Sequence, residues 1–284
     1  MAAEYLVCRL TAAVKVVSRT LRVSRAVIAM LIWLVVVGES LATDEKCWAV
    51  RNITFQAGSK EEVAKKAADF LIKVEDVPQH PYWPQGTSGV TLGVGWDAGY
   101  HSLAELKETW AALGPDVLAR LEEAAGKKGR AAQALIAKLR VIEIPRSVSI
   151  QVLTRSLNEH YYPFVLQLFP GLERLPAEVQ VVFISVVFNR GASMGGDPDW
   201  KTAKEVDRRW EMRRLRADVE DADMFAIYAH LGTMKRLWET SGPRGIPLRR
   251  RDEQALIRPY VNQQLRWDEN RERLKKKGLP PCPD

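Results

Sequence analysis

The sequence is poor in the residues that build metal and redox centres. It holds three cysteines and four histidines among 284 residues, and their spacing fits no zinc site. It has no Gly-x-Ser-x-Gly elbow and no phosphate-binding loop, which removes two common signatures of hydrolases and nucleotide-binding proteins. None of the basic, aromatic-interleaved motifs of nucleic-acid modules occurs, so nucleic acid is not an expected partner. No internal repeat is present, and nothing in the chain implies a cofactor or a metal. The longest apolar run, Ala26–Val37, is twelve residues, short of the roughly 20 that span a bilayer.

What is present is enough for one good-sized core: 46% hydrophobic and 27% charged residues, with a formal charge of +7. Residues 1–42 carry five bases and two acids, leaving 37 bases against 33 acids in the remainder. A mildly basic body suits an anionic cell wall or, by charge alone, nucleic acid. Basic residues precede the apolar run, and Ser40-Leu41-Ala42 follows it with the small residues a signal peptidase reads. The expectation is a secretory signal over residues 1–42, or alternatively a signal anchor, and a secreted or periplasmic protein that touches the membrane only through that segment. Leu6, Leu10, Val14, Val17 and Leu21 share one helix face, which keeps an organellar presequence open. A catalytic domain is expected over 43–258 and a polar tail over 259–284. Cys47 and Cys282 would face an oxidising compartment; a disulfide between them and two free thiols are both compatible with the sequence.

The informative stretch runs from Val74 to Asp97. Ser59-Lys-Glu-Glu62 is a capping box, and Val63, Ala67, Phe70, Leu71 and Val74 give the spacing of one helix face. Glu75 lies four beyond Leu71, at the edge of that stripe. A carboxyl half-immersed in apolar packing is expected to have a raised pKa, as a general acid requires. After a Pro/Gly-rich turn, the large apolar residues Val90, Leu92, Val94 and Trp96 alternate with Thr91, Gly93, Gly95 and Asp97. Period two predicts a strand in which Thr91 and Asp97 project the same way, over a face that Gly93 and Gly95 leave bare for a substrate. Two acids and a hydroxyl over a bare strand face suit glycoside hydrolysis. Taken alone, the same residues read more readily as a bulge or tight turn with solvated acids. Tyr82 and Trp83 in the turn are candidates for stacking on sugar rings, and Trp96 for packing.

Further along, helices are expected from Ser102 to Leu113, Pro115 to Ala125, Ala131 to Val141 and Ser147 to Tyr161, with Pro163–Pro170 as an apolar link. Pro176–Asn189 is apolar nearly all round; its length, with Pro at its start and Gly191 beyond its end, predicts a central buried helix rather than a strand. Lys201–Asp218 and Ala222–Glu239 read as amphipathic helices. In the segment beginning at Gly245, Leu248, Arg251, Asp252, Ala255 and Leu256 are expected to share the inward face.

Helix–Glu75–turn–Gly-Val-Thr-Leu-Gly-Val-Gly resembles the active-site segment of phage-type lysozymes, glycoside hydrolase family 24. Phe188-Asn189-Arg190-Gly191 is similar to the family's helix end under the cleft, and Gly245–Leu256 to its Gly-Leu-x-x-Arg-Arg-x-x-Glu terminal helix. The likeness covers about residues 60–257. Most members place an aspartate in the turn before the threonine. Here Pro78–Gly86 has no acid, and the first carboxylate after Thr91 is Asp97, a layout that resembles the lysozyme-like toxin domain of pesticin. The resemblance implies an α+β, mainly α, lysozyme-like fold with a small hairpin and a helical lobe around a buried central helix. It implies a muramidase that cleaves the β-1,4 bond between N-acetylmuramic acid and N-acetylglucosamine in peptidoglycan. Glu75 would be the acid, with Asp97 and Thr91 holding the water, and Tyr82, Trp83, Gly93, Gly95 and Asn189 would contact substrate. Inversion implies carboxyl groups roughly 6.5–9.5 Å apart. A toxin would add an immunity or inhibitor protein as partner. A lytic transglycosylase and an inactive wall-binding protein of the same fold are the alternatives.

Overall fold

A computed structural model of the protein describes residue 47 and residues 53–195, 207–238 and 245–282. The expected signal segment 1–42, most of the lead-in after it and the first third of the helix expected from Lys201 lie outside the described residues. The chain divides into two compact units, Ile53–Trp267 and a second made of Met1–Asn52 with Asp268–Asp284. Within the second unit Cys47 and Cys282 are joined as a disulfide with Cα atoms 4.8 Å apart.

The larger unit is mainly helical with one small antiparallel sheet. Helix α1 (Lys60–Val74) starts where Ser59 accepts a hydrogen bond from the Glu62 N–H, and it buries Val63, Ala64, Ala67, Phe70 and Leu71. Strands β1 (Thr91–Leu92) and β2 (Trp96–Asp97) form a hairpin with Thr91 opposite Asp97. Then follow α2 (Leu103–Thr109), closed by the Ser102/Glu105 capping box, α3 (Pro115–Leu121), α4 (Gly129–Leu139) and α5 (Arg146–Ser156). A π-helical turn, Leu157–Tyr161, leads from α5 into α6 (Tyr162–Leu168). Helices α7 (Ala177–Arg190), α8 (Trp210–Glu220), α9 (Met224–Thr233) and α10 (Gly245–Lys276) are the remaining α-helices among the described residues. Among the described residues no helix is long and apolar enough to cross a membrane.

Helix α7 is the centre of the first core. Every residue from Val179 to Val187 is buried, as a helix that is hydrophobic all round must be. It packs on α1 and α6, and α8 packs on α9. A second core lies under the hairpin: Val90, Leu92, Trp96, Leu106, Trp110, Leu121, Leu139, Ile142 and Ile144. Val94, at the hairpin tip, belongs to the first core instead, so the tip reaches from one apolar cluster to the other.

Four expectations need correction. The single strand over Ser88–Asp97 is a hairpin, because Gly93 (φ +51°) and Gly95 (φ +74°) adopt the left-handed backbone that reverses the chain. Thr91 and Asp97 still share a face, through cross-strand pairing rather than a six-residue step along one strand. The link at Pro163–Pro170 is helical, since proline is tolerated in a helix's first turn. The inward face of α10 carries Arg249, Arg250, Glu253 and Gln254, while Leu248 is 55% exposed. That face continues through Ile257 and Val261, an i, i+4 series with Arg249 and Glu253 that outweighs the single Leu248. The polar tail from 259 is part of α10, which runs through Pro259 to Lys276.

Candidate active site

Glu75 caps the C-terminus of α1, its N–H donating to the Leu71 carbonyl at 2.8 Å. Its side chain is 34% exposed and lines a cavity of about 370 Å³ with Asp76, Pro78, Tyr82, Val94, Gly95 and Phe188. The carboxylate is not set in apolar packing, as the stripe on α1 suggests. Its Oε1 is ion-paired with Nη1 of Arg249, a side chain only 4% exposed. Arg249 in turn donates from Nε to Ser185 Oγ (2.9 Å) and from Nη2 to the Ser185 carbonyl (2.9 Å). Ser185 Oγ donates to Glu253 Oε1 at 2.5 Å, and Arg250 Nη2 lies 2.8 Å from the same oxygen. Complete burial pushes the Glu253 carboxyl up against the opposing pull of Arg250 and Arg249, and the Arg250 guanidinium down for the same reason. Two guanidinium groups and two carboxylates thus form a charge-balanced relay from the α10 face to the mouth of the cavity.

The hairpin contributes Val94 and Gly95 to this cavity, while its Asp97 and Thr91 do not line it. Asp97 accepts from the Gly89 N–H on both oxygens (2.9 and 3.0 Å) and from the Gly99 N–H on Oδ1 (2.8 Å). These amides fix its orientation and leave Oδ2 with lone-pair capacity. Thr91 is 2% exposed, and its hydroxyl has no hydrogen-bond partner. Its backbone pairs both ways with Tyr82 (3.1 and 2.8 Å), and the Tyr82 ring joins the Glu75 cavity. Burial raises the Tyr82 phenol's pKa, and the charges of Glu75, Asp76 and Asp97 add to the rise. One hydroxyl therefore feels both candidate catalytic carboxylates. Asp97 itself lines a neighbouring cavity of about 620 Å³, which shares Val94, Gly95 and Phe188 with the Glu75 cavity.

Two residues proposed from the sequence to touch substrate do other work. Trp83 donates its Nε1–H to the Ser88 carbonyl at 3.0 Å and packs against the second core. Gly93 is buried; a Cβ there would meet Ser149 Oγ at 2.8 Å and the Trp110 ring at 3.0 Å. Its missing side chain permits close packing rather than substrate approach. Gly95 is exposed, and its Cα faces the Phe188 ring, where a Cβ would fall 2.8 Å from a ring carbon. Asn189 lines neither cavity, and its buried Oδ1 has no partner. Arg249, Ser185, Glu253 and Phe188 were not singled out from the sequence for the site. The signal for Arg249 and Glu253 was their register with Ile257 and Val261. Among the described residues no cluster of histidine, cysteine and acid side chains is arranged to hold a metal. Neither a protein-family model nor a curated protein matches the chain.

Proposed function

We propose that the protein is a cell-wall muramidase with a lysozyme-like fold, secreted to cleave the peptidoglycan strand between N-acetylmuramic acid and N-acetylglucosamine. One observation carries the reading. A partly exposed carboxylate at a helix end opens on a cavity whose far wall, the Val94–Gly95 tip, is shared with the cavity of a second, backbone-anchored carboxylate. Among the described residues only Oε1 of Glu75 is engaged, by Arg249, so when Glu75 carries a proton Oε2 is the oxygen placed to pass it to a glycosidic oxygen. As that proton leaves, Arg249 stabilises the charge developing on Glu75, an interaction stronger in the transition state than in the neutral acid. Asp97 Oδ2 and the unpartnered Thr91 hydroxyl lie on directly paired strand positions, about 4.5–5.5 Å apart at Cβ. A water between them would be oriented and deprotonated for attack on the opposite face of the sugar, with inversion.

A second reading is favoured by the burial of Thr91 and by the three amide bonds on Asp97. With the water-activating pair engaged, Glu75 alone would make the chain a lytic transglycosylase. Digestion of purified sacculi separates the two: reducing muramic acid ends are expected, and anhydro-muramic ends would move the assignment to the transglycosylase. Glu75→Gln is expected to lower turnover by about 10²–10⁴-fold with unchanged circular dichroism. A Glu75→Gln protein that lyses walls at the wild-type rate overturns the acid assignment. Wild-type protein that pellets with walls without clearing them identifies a binding protein instead.

A further inference from the structure

Arg249 meets Glu75 through Nη1. Its other edge closes on a single residue of α7: Nε donates to Ser185 Oγ and Nη2 to the Ser185 carbonyl, both at 2.9 Å. A planar guanidinium gripped along one edge by two acceptors of the same residue is held against rotation about its Nε–Cζ bond. Nη1 is then fixed in one direction, and that direction is Glu75. The Phe188 ring, three residues further along α7, lies 5.9 Å from the guanidinium carbon and lines the Glu75 cavity.

Glu253 orients the hydroxyl at the centre of this grip. Ser185 has one proton to donate, and it goes to Glu253 Oε1 at 2.5 Å, which leaves the Oγ lone pairs for Arg249. Arg250 Nη2 anchors the same carboxylate oxygen at 2.8 Å. Arg249 Nε stands 3.6 Å from it, beyond hydrogen-bond reach, so the acid acts on Arg249 chiefly through the serine. Ser185 and Glu253 are both fully buried. Burying these groups costs desolvation that apolar side chains of the same volume would not incur, so fold stability alone does not account for the arrangement.

We infer that Ser185 and Glu253 are positioning residues that aim Arg249 at Glu75, holding Oε1 and leaving Oε2 free. The inference rests on the muramidase reading for the role of Glu75 and assigns the residues that set its direction. Proton transfer needs the acid within hydrogen-bond reach of the glycosidic oxygen, and a displacement of about 1 Å costs about 100-fold in rate. Direction therefore counts beyond charge.

The test reads full-length protein in two ways: the nitrogen NMR signals of the Arg249 guanidinium, and kcat and KM on soluble peptidoglycan fragments. In the wild type, restricted rotation should keep the Nη1 and Nη2 signals separate; Arg249→Lys identifies them by removing them. Ser185→Ala should merge the two signals and lower kcat by about 10–100-fold, with KM within about twofold of wild type. Glu253→Gln removes the charge but keeps an oxygen that accepts the Ser185 proton. It should preserve the separate signals and hold kcat within about threefold of wild type. Arg249→Lys keeps the charge and loses the edge, so its kcat should fall as far as that of Ser185→Ala. A loss in Glu253→Gln as deep as in Ser185→Ala overturns the inference in favour of charge. Merged Arg249 signals in the wild type overturn it even where a variant does not fold. Wild-type turnover in Ser185→Ala or Arg249→Lys also overturns it and leaves the cleavage reading intact. Signals that merge in Ser185→Ala, in a protein that cleaves no glycan, overturn the cleavage reading and leave the aiming of Arg249 standing.

Discussion

The two walls that carry Glu75 and Asp97 are held in place by different physics. Glu75 is fixed by an ion pair to a residue 174 positions away, and that residue is fixed by a buried serine on α7 and a buried acid one turn along its own helix. Asp97 is fixed by backbone amides eight and two residues from it, and by glycines whose left-handed conformation makes the hairpin. One wall depends on charges from distant parts of the chain meeting in a low-dielectric core; the other depends on local chain geometry. The first should fail when a charge is removed, and the second when a side chain is added.

The largest stability effect is expected at the charged wall. Arg249→Ala leaves Glu253 buried with less compensation and Glu75 without its partner, and should lower unfolding free energy by about 3–5 kcal/mol. Urea denaturation measures it, and a loss under 1 kcal/mol would mean that the relay does not support the wall. At the hairpin, Gly93→Ala forces a Cβ into Ser149 and Trp110 at positive φ, at a cost of about 2–3 kcal/mol. Gly86→Ala, also at positive φ but facing open space, should cost only about 1 kcal/mol. Equal losses at the two glycines would show that backbone strain alone, and not packing behind the hairpin, holds that wall.

The smallest effect is a pH dependence away from both walls. Burial alone would raise the Glu178 carboxyl, but hydrogen bonds from Lys66 and Tyr260 outweigh it and hold its pKa below the ordinary value of 4.5. An acid depressed on folding stabilises the fold above its unfolded pKa and loses that contribution as pH falls through the folded value. Wild-type melting temperature should therefore drop more steeply than that of Glu178→Gln as pH is lowered below about 4.5. Parallel curves would assign the acid sensitivity to other groups.

Much of the helical frame was legible because its causes are local. The Ser59 and Ser102 caps, the proline and glycine flanking α7, and its all-apolar run each determine their element within a few residues. The hairpin was read as a strand because period two is the same before and after a turn, and only the positive φ of Gly93 and Gly95 separates the cases. Glu75, Thr91 and Asp97 stand out in the sequence by spacing and Tyr82 by its place in the turn, since three of the four lie within sixteen residues of one another. Arg249 could not be placed by spacing near Glu75. The inward face of α10 begins with two arginines where hydrophobic periodicity looks for apolar side chains, so the pattern slid to Leu248. Trp83 and Gly93 were misassigned for a related reason: a ring or a bare Cα beside a cleft has the same sequence signature whether it faces the solvent or the core.

The bond between Cys47 and Cys282 closes a covalent ring over a sequence separation of 235. A single backbone cut anywhere inside that ring opens it without releasing either piece. A protease that nicked one exposed loop would leave both fragments on one covalent particle, free to re-dock. Only reduction together with cleavage separates them. Nicked protein should therefore migrate as one species until a thiol is added.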